Sequence, residues 1–92
     1  MILYYRVKLL IPMAFSLKDK RRVIRSLLEK LKNRFNISAA ETGDKDLWKN
    51  TTIEIAAVSN DSVYLEKQLD KIEKFIEEFN GVRIIKSNIK YY

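Results

Sequence analysis

Apolar side chains alternate with others from Ile2 to Ile11. Leu3, Tyr5, Val7, Leu9 and Ile11 share one parity, with Tyr4, Arg6 and Lys8 on the other. A period of two is that of a half-buried strand. Pro12 ends the pairing because it has no N–H to donate. The period then lengthens. From Ser16 to Phe35, the residues Val23, Ile24, Leu27, Leu28, Leu31 and Phe35 recur at helical spacing. At roughly 100° per residue they fill an arc of about 140°. Ser16 suits the N-cap, and Asp19 stands where a carboxylate can reach back and meet the positive end of the helix dipole. Residues 36–41 place Ile37 and Ala39 on one parity, which predicts a short edge strand. Residues 42–46 form a turn in which Gly43 can supply a left-handed conformation. Thr51 to Ser59 is β-branched and places Ile53, Ile55 and Ala57 on one face. Ser59 to Ser62 offers a second helix start. Beyond it Leu65, Leu69, Ile72, Ile76 and Phe79 form a stripe that ends at Asn80-Gly81. The last segment, 82–92, is a strand with Ile85, Ile89 and Tyr91 opposite in parity to Ile84, Lys86, Lys90 and Tyr92.

The order is β-α-β-β-α-β in one domain, residues 1–92. With right-handed crossovers this order predicts an α+β, ferredoxin-like sandwich: a four-stranded antiparallel sheet in order 4-1-3-2, with both helices on one face. Parity then sends Tyr4, Arg6 and Lys8 outward from the first strand, Thr52, Glu54 and Ala56 from the third, and Ile84, Lys86, Lys90 and Tyr92 from the fourth.

Charge alters this picture on one side only. The net charge is +6, yet residues 1–35 carry +8 and residues 36–92 carry −2. Opposite the apolar arc of the first helix, Lys18, Arg21, Arg22, Arg25 and Lys32 fall within about 100° of one another, with only Glu29 among them. A one-sided basic surface suits a polyanion, since several phosphates must be met at once; it also suits an ordinary solvated helix face. Lys20 and Arg34 lie toward the apolar side by angle. On the open sheet face, Arg6, Lys8 and Lys86 with Tyr4 and Tyr92 would make a second basic surface. Its tyrosines suit self-association as well as base stacking. Trp48, in a turn region, either caps the core edge or serves as an exposed anchor.

Composition removes several chemistries. There is no cysteine and no histidine, so there is no disulfide frame, no thiolate zinc site and no histidine base for the serines. Only Gly43 and Gly81 exist, too few for a glycine-rich phosphate loop. The acids near the central turn, Glu41, Asp44, Asp46 and Glu54, lack metal-ligand spacing. No enzyme activity, metal, cofactor or small-molecule substrate is expected. The first fifteen residues lack a signal peptide's pattern, and no apolar run reaches the roughly 20 residues of a membrane span. The expectation is a soluble cytoplasmic domain.

These residues carry a resemblance. Arg6-Val7, Ile11-Pro12, the run from Ser16 through Leu17-Lys18-Asp19-Lys20-Arg21-Arg22 to Val23, the run from Arg34 to Glu41, Asp46-Leu47-Trp48, and Val58 to Asp61 occur in an order that resembles the YlxP-like family of small bacterial domains of unknown function. Two positions depart from it: Lys49, where members usually carry glutamine, and Met13, where a glycine soon follows the proline. The resemblance implies a ferredoxin-like fold and a bacterial cytoplasmic protein. It also implies a gene neighbourhood of transcription antitermination, translation initiation and ribosome maturation. The resulting expectation is a non-enzymatic accessory domain associated with ribosomal RNA or the ribosome through its basic first helix. The alternative is a homodimeric interaction domain that uses the open sheet face or an edge strand.

Overall fold

The computed structural model describes all residues, Met1–Tyr92. The elements are β1 (Ile2–Leu10), α1 (Leu17–Arg34), β2 (Ser38–Gly43), β3 (Asn50–Val58), α2 (Ser62–Glu78) and β4 (Arg83–Tyr91). The sheet runs β2-β3-β1-β4 with every pair antiparallel, which is the expected order. β2 lies two residues later than its sequence pattern suggested, because Asn36 and Ile37 serve as the exit from α1.

Both helix starts follow local chemistry. The Ser16 hydroxyl accepts from the Asp19 N–H at 3.1 Å, and the Asp19 carboxylate accepts from the Phe15 N–H at 3.1 Å. Asp61 caps α2 by accepting from Val63 and Tyr64. Each cap satisfies donors that a helix N-terminus otherwise leaves free.

The core lies between the sheet and the two helices. Leu3, Tyr5, Val7 and Leu9 of β1 meet Ile53, Ile55 and Ala57 of β3, and Ile24, Leu27, Leu31, Leu65, Leu69, Ile72 and Ile76 close over them. The Tyr5 hydroxyl emerges from this layer toward Glu73 Oε2 at 3.5 Å. Burial, followed by the Glu73 charge, pushes the Tyr5 phenol above its ordinary value. A raised phenol pKa adds stability that is complete below the unfolded-state value near 10 and is lost as pH rises toward the folded-state value. Between about pH 10 and 12 the wild type should lose up to about 1.4 kcal/mol per pH unit through this group. Tyr5→Phe should lack that component in paired urea titrations.

One turn corrects the sequence reading. The left-handed residue of the β2–β3 hairpin is Asp44 (φ 58°), not Gly43. Gly43 is needed for proximity instead, since a Cβ there would stand 3.1 Å from Thr52 Cβ. After α2, Gly81 has φ 104°, and a Cβ there would make only ordinary contact with Val23 at 3.4 Å. Strain at Gly81→Ala therefore arises in the backbone. It should cost about 1–2 kcal/mol, read as a lower urea midpoint.

A bulge corrects the last strand. Lys8 pairs with Lys86, but Leu9 pairs with Ile84, leaving Ile85 as the extra residue. An extra residue flips the parity beyond it. Ile84, expected outward, is therefore half-buried and packs against the core.

Candidate nucleic-acid interface

Seven of the cations singled out in the sequence separate into two groups on opposite sides of the sandwich. Lys18, Arg21, Arg22 and Arg25 lie on the outer side of α1. That helix turns Lys20, Ile24, Leu27 and Leu31 inward. The four are exposed and by themselves line a shallow surface depression of about 540 Å³. The chain has two ion pairs, Lys8–Asp44 and Lys20–Glu41, so none of the four is neutralised by an acid. Spaced i, i+3, i+4 and i+7, they repel one another, and each such like-charge pair costs a helix a few tenths of a kcal/mol.

Arg6, Lys8 and Lys86 lie beneath the sheet, on its open face. With Gly43, Asp44, Thr52, Ser87 and Asn88 they line a wholly polar cleft of about 260 Å³. Lys8 and Lys86 are directly opposed across β1 and β4, and Lys8 Nζ is 3.6 Å from Asp44 Oδ2. Arg6 is opposed by Glu54. The Tyr4 hydroxyl donates to Glu54 Oε1. Hydrogen bonds from Thr42 and then Tyr4 hold the Glu54 carboxyl below its usual range, and the same bond raises the Tyr4 phenol. Tyr4 is thus tied down beside an acid, whereas Tyr92 is 69% exposed. This face is less positive than its lysines alone suggest.

Lys20, which the angular reading set aside, is the one buried cation. It is 1% exposed; its Nζ lies 3.1 Å from Glu41 Oε2 and donates to the Asp44 carbonyl at 2.5 Å. Thr51 Oγ1 donates to the same Glu41 oxygen at 2.5 Å. The group fastens the start of α1 to β2, β3 and their hairpin. The only sequence signal for it was Lys20's place on the apolar side of α1.

At the same end of the fold, Trp48 is 53% exposed and does not cap the core. Leu47, Met13 and Phe15 are exposed as well. Lys49 ties the two loops together, donating to the Pro12 carbonyl at 2.8 Å and lying 4.4 Å from the Phe15 ring centre. The two departures from the family pattern, Lys49 and Met13, thus belong to adjoining loops. No group of three acidic side chains gathers in metal-binding geometry, and no helix is long and apolar enough to cross a membrane.

A ferredoxin-like sandwich with one cationic helix face is the class defined by these observations. Comparison with known proteins agrees on the fold. The designed protein Foldit4 superposes with a TM-score of 0.63 at 14% identity, covering 100% of this chain and 99% of its own. A designed ferredoxin fold, LFR1 1, gives 0.62 at 12% identity, covering 100% and 87%. In sequence, residues 2–89 match the family described as "Protein of unknown function (DUF503)". "Uncharacterized protein YlxP" of Bacillus subtilis (strain 168) is 44% identical over 66 residues, 72% of each chain. The chain belongs to this family.

Proposed function

We propose that the protein is a non-enzymatic cytoplasmic accessory domain that associates with ribosomal RNA or the ribosome through the outer face of α1. One observation carries the reading: Lys18, Arg21, Arg22 and Arg25 form an exposed, self-repelling cluster in which no side chain has an ion-pair partner. Such clustering weakens the helix and adds nothing to the core, whereas a line of phosphates turns the same repulsion into attraction. The gene neighbourhood implied by the family resemblance favours ribosomal RNA among the polyanions. Arg6, Lys8 and Lys86 are secondary, since Asp44 and Glu54 stand among them and one RNA surface would have to wrap the domain to meet both faces.

Contact with about four phosphates sets the expected salt response. Co-sedimentation of the protein with ribosomal subunits should weaken with a log–log slope of around −4, or about 250-fold for a fourfold rise in salt. A slope near zero would sink the reading, because a protein–protein contact built on the exposed tyrosines has few ions to release.

A further inference from the structure

The opposite flank of the molecule carries the other sign. On α2, Glu66, Asp70, Glu73 and Glu77 follow one another at i, i+4, i+7 and i+11, a single helical stripe. None of them takes part in either of the two ion pairs. The stripe overlooks β4. Tyr91 is held above its ordinary pKa chiefly by partial burial, and then by the charges of Glu66, Asp70 and Glu73. Beneath it the helix-side residues of β4 are poorly covered: Ile89 is 41% and Tyr91 40% exposed.

β4 is also a free edge, since it pairs with β1 alone. Its open backbone groups can be named. Ile2 and Tyr92 exchange both of their backbone hydrogen bonds, at 2.7 and 2.8 Å. In an antiparallel ladder every second pair does so. The register therefore makes Tyr4–Lys90, Arg6–Asn88 and Lys8–Lys86 the other bonded pairs. Ser87, Ile89 and Tyr91 consequently aim their N–H and C=O groups away from the sheet, and these are the residues on the α2 side of the strand.

We propose that this edge takes an extended basic peptide segment of a partner protein as a fifth strand. Added residues opposite Ser87, Ile89 and Tyr91 would share their side of the sheet, beneath α2. Lysine or arginine there would lay its aliphatic stem over Ile89 and Tyr91 and carry its charge to Glu66, Asp70 and Glu73. Charge also decides against the two other occupants. A second copy pairing β4 with β4 would bring two acidic stripes together on one face and Lys86 and Lys90 of both copies together on the other. Nucleic acid would meet unpaired carboxylates. The edge is therefore a separate surface from the α1 face and does not depend on that face binding RNA.

The probe is a capped peptide of about nine residues, the length of β4, with lysine at every second position and threonine between. A peptide of the same composition with its lysines gathered at one end is the control. Hydrogen exchange followed by NMR should show the Ser87, Ile89 and Tyr91 amides fast in the free protein and slowed at least about tenfold by saturating alternating peptide. The intervening amides should barely change. Glu66→Lys/Asp70→Lys should weaken this peptide at least about tenfold, and Arg21→Glu/Arg22→Glu/Arg25→Glu should not weaken it. No binding up to about 1 mM would overturn the proposal. So would binding that leaves those three amides fast, equal binding of the control peptide, or protection of the same amides in the protein alone through self-pairing.

Discussion

Glu41→Ala should destabilise the fold by about 3–5 kcal/mol, the largest effect expected of any single charged residue here. The reason lies in Lys20. Its side chain is 1% exposed, and Glu41 is the only carboxylate paired with it. Removing Glu41 leaves an ammonium in the core and frees the Thr51 hydroxyl that donated to the same oxygen. The Asp44 carbonyl cannot neutralise that charge. Breaking the pair is therefore far more costly than never having made it. Lys20→Met/Glu41→Gln, which removes both charges and keeps most of the volume, should lose less than half as much. Urea denaturation of the wild type and both variants reads the difference directly. Equal losses in the single and double variants would mean that packing, not the buried charge, dominates.

Much of this fold was legible because periodicity and punctuation agreed. The alternation in β1, the helical recurrence of apolar residues in α1, the cap at Ser16, the helix start between Ser59 and Ser62, and Gly81 each rest on neighbouring residues alone. What local pattern does not record is how strands are offset from one another. The bulge at Ile85 reversed the assignment of Ile84, and nothing in the run from Arg83 to Tyr91 marks it. Angle alone placed Lys20 correctly on the apolar side of α1 but could not supply its partner, because Glu41 comes from a different element. The candidate site was half legible. The helix cluster could be read from i, i+3, i+4 and i+7 spacing. Parity along the expected strands also placed Arg6, Lys8 and Lys86 together on the open face of the sheet, away from that cluster. Glu54 and Asp44 dilute those three through contacts between strands and a hairpin, which sequence order does not show.

Charge reversal across α1, Arg21→Glu/Arg22→Glu/Arg25→Glu, should have the largest effect on association. Each lost phosphate contact removes about 1 kcal/mol of attraction even at the dielectric of water, so three amount to about 100-fold in affinity. The salt slope should shrink from around −4 to about −1, leaving Lys18 as the one remaining contact. Folding should survive. All three side chains are exposed and without ion-pair partners, and replacing mutually repelling cations on one helix face relieves strain as much as it adds any. Wild-type urea stability in the variant would establish that only the surface has changed.

Loss of positive charge anywhere weakens binding to a polyanion somewhat, so the decisive comparison matches net charge. Lys67→Glu/Lys71→Glu/Lys74→Glu imposes the same change on exposed residues of α2. The two variants and the wild type are to be co-sedimented side by side with ribosomal subunits at low and moderate salt. A roughly 100-fold loss for the α1 variant with near wild-type binding by the α2 variant is the predicted result. Equal weakening of both, or undiminished binding by the α1 variant, would contradict the assignment of the interface to α1.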